Sequence, residues 1–398
     1  MPAAGPSMRH PIEAPANPAR RRAGGPLAGV GVARFMRDYW QRRPLLVRQA
    51  LPALQPPLNP DALVALAARD EVESRLASAF GGRWRLRHGP FDAGAVPSLR
   101  RRRWTLLVQG VDLHDDRAHA LLERFRFVPD ARLDDLMISL ASDAGGVGPH
   151  VDSYDVFLVQ AWGRRRWRIG WPASRECVPG LPLKVLARFE PQHEFVLEPG
   201  DMLYLPPGWA HDGIAEGPCM TCSIGFRAPS RHEFLSAFLA DAAESPGGPD
   251  PRFGDAGRRP VSRPAKVPED LRAQLARWAR GWRPGSAMLD DFIGRFLTEP
   301  KPQVWFERAP AMNAARFAAR AARLGLRLDR RTRIAYRRRG LFVNGERFET
   351  AGATTWARTL ADHRRLDPAS TARALAEPRG AALLLEWHEA GWLHLSEF

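Results

Sequence analysis

Residues 145–170 read GGVGPHVDSYDVFLVQAWGRRRWRIG. Gly145, Gly146 and Gly148 make a loop, and His150 opens a strand in which Asp152 follows after one residue. Residues i and i+2 of a strand point to the same face, so His150 and Asp152 can reach one ion together. A third candidate ligand, His211, ends the stretch GDMLYLPPGWAH at 200–211. There Gly200-Asp201 predicts a turn, 202–205 a strand, and Pro206-Pro207-Gly208 a rigid bend that presents the imidazole at a barrel mouth. Two histidines and one carboxylate on a β scaffold are the donor set of a mononuclear non-haem iron centre with open positions.

The arginine triplet adds a second feature. Beyond the turn predicted at Trp162-Gly163, alternation puts Arg165 on one face with Trp167 and Ile169. Arg164, Arg166 and Arg168 fall on the other face, where solvation is the expectation. A guanidinium aligned with core residues needs an anion. A bound carboxylate held by the guanidinium fork would serve, and so would an internal Asp or Glu.

Short strands are predicted at 155–161, 165–170, 194–197, 202–205 and 220–226, with Pro and Gly at most of the joins and no helix between them, a pattern that implies a sandwich or a barrel. Upstream, the segment from Gly29 predicts a short helix and then a strand interrupted by Pro44. Asn59-Pro60-Asp61 opens a helix, 72–88 reads as a hairpin turning at Gly81-Gly82, and Trp104–Val108 is a strand. A helix is expected over 114–127, and Asp134-Asp135 are expected just before the strand LMISLAS. Downstream the period changes. Ser230 and Glu233 form a capping box that begins a helical block. Its apolar positions Leu235, Phe238, Leu271, Leu275 and Trp278 can pack internally or against a second copy. After Pro302 a smaller α+β module is predicted, with strands around an Asn344-Gly345 turn, a helix ending near Gly391 and a terminal strand. Residues 1–26 are rich in Pro, Ala and Arg without periodicity, which predicts a disordered tail.

At 398 residues the chain is long enough for two or three domains. No apolar run is long enough to span a bilayer and no secretory h-region follows the N-terminal arginines, so a cytoplasmic protein without membrane contact is expected. Three cysteines argue against a disulfide framework. Cys219 and Cys222, three apart on a strand, point to opposite faces and make a poor metal or redox pair. The net charge of +15 is compatible with an anionic neighbourhood such as ribosomes or rRNA. It is equally what an Arg-, Ala- and Pro-rich base composition would produce.

The residues MISLASDAGGVGPHVDSYDVFLVQAWGRRRWRIG, LEPGDMLYLPPGWAHDG and CSIGFRAPS together resemble the cupin/Jumonji-C ribosomal oxygenases, in particular the bacterial enzymes that hydroxylate an arginine of the large-subunit ribosomal protein L-sixteen. The likeness covers about residues 30–230 and extends in order and length over the rest. It implies an α+β protein: a disordered tail at 1–26 and a double-stranded β-helix (the cupin/JmjC jelly roll) at 27–228. Helical dimerisation segments at 229–300 and a winged-helix-like module at 301–398 would follow, giving a homodimer. It implies that His150, Asp152 and His211 bind Fe(II), that Arg165 holds the distal carboxylate of 2-oxoglutarate, that Ser139 and Ser223 lie around that cosubstrate, and that dioxygen is the second cosubstrate. Thr221-Cys222 departs from the family pattern, which has Asn and Tyr there. The implied activity is a 2-oxoglutarate-dependent dioxygenase hydroxylating an arginine of a ribosomal protein. Another target residue such as histidine, or a non-catalytic cupin scaffold, remains open. Asp134, Asp135, Asp143, Asp152 and Asp155 cluster around the motif and suggest an acidic mouth, with Asp143 or Asp155 as partner for a substrate arginine. Arg330, Arg331, Arg333 and Arg337–Arg339 are candidates for RNA contact or for a solvated or structural face.

Overall fold

The computed structural model describes residues 13–14, 25–27, 29–81, 83–244, 252–254, 267–281, 283–337, 340–349 and 355–396. Most of the tail predicted at 1–26 and most of the linker after 244 therefore lie outside the described residues. Within the tail, β1 (Glu13–Ala14) pairs in parallel with β2 (Leu45–Val47).

Between them α1 (Val32–Asp38) buries Phe35. In α2 (Pro60–Leu66) the Asn59 side chain accepts from the Ala62 amide, as its Asn-Pro-Asp start predicts. The hairpin β3 (Ser74–Phe80) and β4 (Arg83–His88) and the strand β5 (Trp104–Val108) follow as expected. The next helix, α3 (Asp116–Glu123), starts later than predicted because Asp115 caps it by accepting from the Arg117 and Ala118 amides, and it ends at Glu123, before the predicted 127. Asp134 and Asp135 lie inside β6 (Leu133–Ala141), not before it.

Then come β7 (His150–Val151), β8 (Val156–Gly170), β9 (His193–Leu197), β10 (Met202–Leu205) and β11 (Ala210–Phe226). The separate strands expected at 155–161 and 165–170 are one strand, and 220–226 is the far half of a longer one. β8 and β11 pair antiparallel from Val156↔Gly225 to Gly170↔Ala210, and the register slips between Glu216 and Thr221. Gly163 sits at that slip with φ 62°, and a Cβ there would lie 2.2 Å from the Pro218 carbonyl oxygen, so glycine is required. The sheet runs β1-β2-β10-β8-β11-β6-β5-β3-β4, with β7 added to β11 and β9 to β8.

The bulge decides which residues face inward. Before it, Val156 and Leu158 belong to the interior cluster; after it, Trp167 and Ile169 do. One extra residue has moved the inward set from even to odd positions. Gln160 holds the bulge by donating from Nε2 to the Trp162 and Gly163 carbonyls. The opposite face of the same strands carries Phe157, Val159 and Ala161, which pack with Phe35, Phe125 and Tyr204 in the larger core.

Ser230 and Glu233 cap α4 (Arg231–Glu244) reciprocally, as the capping box predicts. Phe238 packs on Phe292 and Phe296 of α6 (Ser286–Thr298). Leu235 and Leu239, and Leu275 and Trp278 of α5 (Glu269–Gly281), stay exposed. The C-terminal module has α7 (Ala314–Leu324), β12 (Leu326–Leu328), β13 (Ile334–Arg337), β14 (Gly340–Val343) and β15 (Glu346–Phe348). It ends with α8 (Thr355–His363), β16 (Arg365–Leu366), α9 (Pro368–Ala376), α10 (Pro378–Glu389) and β17 (Leu393–Leu395). Asn344 (φ 50°) and Gly345 (φ 84°) form the tight turn between β14 and β15. Lys301 reaches Asp134 at 3.0 Å and ties the start of this module to β6. No helix among the described residues is long and apolar enough to cross a membrane.

Candidate metal centre

β7 pairs with the start of β11, bringing His150 directly opposite His211. Their ring centroids are 4.2 Å apart. His211 Nε2 is 3.6 Å from the Asp152 carboxylate, and the donor atoms of the three residues all lie within 4.8 Å of one another. His211 is therefore a strand residue placed by cross-strand pairing; Pro206-Pro207-Gly208 supplies the bend before it, with Gly208 at φ 89°.

Each imidazole is fixed by the chain just before it. His150 Nδ1 lies 2.9 Å from the Gly148 carbonyl and His211 Nδ1 3.2 Å from the Trp209 carbonyl. A carbonyl oxygen only accepts, so each Nδ1 carries the proton and each Nε2 keeps its lone pair for an ion. Burial, reinforced by neighbouring His150, pushes the His211 imidazole down to about 4, which keeps it neutral at physiological pH. These two carbonyl partners carry no side-chain signature in the sequence.

Arg165 is buried on the inward face with Trp167, as alternation predicts. Its Nη1 donates to Ser139 Oγ at 3.1 Å, while its Nε and Nη2 are buried without a partner. Among the described residues no carboxylate pairs with it, so the internal salt bridge weighed in the sequence is absent. A buried guanidinium with two idle nitrogens costs free energy until an anion arrives. A dicarboxylate with one end at the His-Asp-His cluster and the other on this fork meets both needs, so the residues present fit Fe(II) with 2-oxoglutarate. Ser139 sits opposite Thr221, and Thr221 opposite Gln160, in one row across β6, β11 and β8. Thr221 Oγ1 donates to Gln160 Oε1 at 2.9 Å, so the departure at 221 joins the network that holds the bulge. Ser223, two residues along β11 on the same face, forms no hydrogen bond through its hydroxyl among the described residues.

Residues 120–234 match the family model of a JmjC domain and residues 273–394 that of a ROXA-like winged helix. An X-ray structure of Escherichia coli ycfD superposes with TM-score 0.80 at 31% identity, covering 90% of this chain and 96% of that one. The chain belongs to the JmjC ribosomal oxygenase family. A ycfD structure solved with cobalt and 2-oxoglutarate aligns at TM-score 0.77, 31% identity and 90% and 96% coverage. Among curated proteins, the ribosomal protein uL16 3-hydroxylase of E. coli K12 is 43% identical over 205 residues, 51% of this chain and 54% of that protein. A probable ribosomal oxygenase of Haemophilus influenzae is 37% identical over 203 residues, 49% of each. The chain thus aligns over about half the length of these curated relatives.

Family membership leaves the carboxylates and arginines around the site to be read from contacts. Asp155 does not stand at the mouth. It is fully buried, accepting from the Tyr204 hydroxyl at 2.6 Å and from Gln41 Nε2 at 2.9 Å, with Arg132 at 3.3 Å. Asp134 pairs with Lys301, and Asp135 accepts from the Gly110 amide. Asp143 is half-exposed on the loop leading to His150, accepting from the Gly217 amide and pairing with Arg102. Gly217 is six residues along β11 from His211, so Asp143 does not stand at the mouth either, and of the five carboxylates only Asp152 is at the metal cluster. Arg164, Arg166 and Arg168 are not simply solvated; they form a ladder with Glu216, Glu194 and Asp212. Arg330, Arg331, Arg333 and Arg337 pair with Asp116, Asp329, Asp134 and Asp290, the structural alternative to RNA contact; Arg338 and Arg339 lie outside the described residues.

Proposed function

We propose that this chain is an Fe(II)- and 2-oxoglutarate-dependent protein hydroxylase acting on an arginine of ribosomal protein uL16. The observation that carries the reading is the buried, unpaired guanidinium of Arg165 on the same inward face as the His150–Asp152–His211 cluster. His150 Nε2, Asp152 and His211 Nε2 would hold the metal. Arg165 would hold the far carboxylate of 2-oxoglutarate, with Ser139 fixing its fork and Ser223 on the adjoining wall. When bound, iron and 2-oxoglutarate supply the oxidising chemistry in which dioxygen puts one oxygen atom into a substrate C–H bond and the other into succinate, with loss of carbon dioxide.

The protein's own part is positional. The Gly148 and Trp209 carbonyls keep both imidazoles in the metal-binding tautomer. Arg165 commits the cosubstrate to one orientation before substrate arrives. Leu158, Trp167, Leu197 and Leu203 make the surrounding interior apolar and exclude water from it.

For the chain's organisation we propose a catalytic domain at 27–228, a helical segment at 229–300 and a winged-helix module at 301–398. The exposed Leu275 and Trp278 of α5 support a second copy of the chain as partner for the helical segment. The intra-chain pairing of the module's arginines favours a structural module over an RNA-binding one, and a cytoplasmic site of action follows from the ribosomal substrate. The test is incubation of purified uL16 with the protein, Fe(II) and 2-oxoglutarate. One added oxygen on an arginine-containing peptide, absent with His150→Ala, supports the reading; an oxygen added to histidine would favour the other hydroxylase class.

A further inference from the structure

The inward face does not end at the cosubstrate. Arg75 lies opposite Leu107, and Leu107 opposite Ser139, so β3, β5 and β6 carry one row of side chains on one side of the sheet. Arg75 is two strand spacings from Ser139, about 10 Å. Leu107 and Gln109, two residues apart, project to this same side, where Leu107 is half-buried. The edge strand β4 contributes Trp84, Leu86 and His88, which face Ala79, Ala77 and Arg75. The Trp84 ring packs against Gly148, the residue whose carbonyl orients His150. The shelf made by β3, β4 and β5 is therefore continuous with the metal centre.

Its polar groups lack partners. Arg75 Nε is buried without a hydrogen bond, and so is Gln109 Oε1. Among the described residues, no carboxylate or carbonyl takes any proton of the Arg75 guanidinium. A donor at Arg75 and an acceptor at Gln109, one side-chain step apart over an apolar floor, are complementary to a peptide's C=O and N–H groups.

We propose that this shelf holds the main chain of the substrate polypeptide, with Arg75 donating to a carbonyl oxygen and Gln109 accepting from an amide. This assignment rests on the protein-hydroxylase reading above. Recognition through the main chain aligns a segment without constraining its side chains and leaves the choice of target residue to the surroundings of the metal centre.

The experiment measures hydroxylation kinetics on synthetic peptides spanning the modified segment of uL16, with Arg75→Gln, Arg75→Lys and Gln109→Leu. Arg85→Gln, an exposed arginine on the opposite face of β4, is the charge-matched control. Loss of a charge-assisted hydrogen bond predicts about a tenfold rise in peptide KM for Arg75→Gln. Arg75→Lys should give partial rescue and kcat should change much less than KM. The same rise should persist when each acidic residue of the peptide is replaced by its amide. Thermal melting of each variant separates misfolding from lost binding. A KM within twofold of wild type for both Arg75→Gln and Gln109→Leu overturns the proposal. So does an Arg75→Gln penalty that disappears with one particular acidic side chain, since that would make Arg75 a side-chain reader. Absence of hydroxylation by the wild-type protein removes the underlying functional reading instead, and this proposal with it.

Discussion

Replacing Arg165 by methionine should move apo stability and cosubstrate affinity in opposite directions. In the structure the guanidinium makes one hydrogen bond, to Ser139, and leaves Nε and Nη2 buried and unpaired. Its Cζ lies 5.7 Å from the Trp167 ring, a cation–π contact of about 0.5–1 kcal/mol. Each idle buried N–H costs about 1–3 kcal/mol, so the penalties outweigh the contact. Methionine fills a comparable volume and carries no charge. Without 2-oxoglutarate the variant should therefore match or exceed wild type, by about 1–2 kcal/mol in denaturant unfolding. With 2-oxoglutarate the order reverses. Two charge-assisted hydrogen bonds at about 1.5–3 kcal/mol each are lost, which is a fall in affinity of about a hundredfold or more. Isothermal calorimetry with Mn(II) in place of iron gives the affinity. A variant clearly less stable than wild type without ligand, yet binding 2-oxoglutarate within fivefold of it, would mean that Arg165 is not the carboxylate anchor.

Other perturbations test the supports of the site. Gly163→Ala forces a Cβ onto the Pro218 carbonyl at positive φ; we expect a loss of about 2–4 kcal/mol together with weaker 2-oxoglutarate binding, because the bulge re-aims Arg165. Asp155→Ala removes the shared acceptor of Tyr204, Gln41 and Arg132; it should cost about 3–5 kcal/mol in chemical denaturation while peptide KM in the surviving folded fraction stays unchanged. In the C-terminal module, burial alone would raise the Asp329 carboxyl, but hydrogen bonds from His394 and Arg331 outweigh it and hold it well below the usual carboxylate range. A depressed folded-state value means stability that is present above about pH 4, the unfolded value, and lost as pH falls below it. Asp329→Asn should thus melt below wild type at pH 7 and converge with it in acid.

The parts of this molecule legible in the sequence were those set by local chemistry. Asn59 and the Ser230/Glu233 pair announce helix starts because a side chain caps an amide within three residues. Asn344-Gly345 announces its hairpin because both positions need positive φ. Arg165 was assigned inward because alternation was restarted at Trp162-Gly163, and the bulge restarts it physically. What sequence missed depended on register between distant strands. No strand was predicted over 210–219, where Gly213, Gly217 and Pro218 break local patterns, whereas pairing with β8 makes it strand. Asp155, three residues from Asp152, seemed to belong to the mouth, but its partner Tyr204 draws it into the opposite core. The arginine ladder with Glu194, Asp212 and Glu216, and the row joining Arg75 to Ser139, exist only once the strands are aligned.

If the His150–Asp152–His211 cluster and Arg165 form one oxygenase site for a ribosomal protein, dioxygen must leave its label on both products. Mass spectrometry of uL16 incubated with the protein, Fe(II), 2-oxoglutarate and ¹⁸O-labelled dioxygen tests it directly. One labelled oxygen on a single arginine, with label also in succinate, and neither with His150→Ala, is the expected result. Succinate formation without label in any ribosomal protein, or a modified uL16 whose oxygen comes from water, would contradict it.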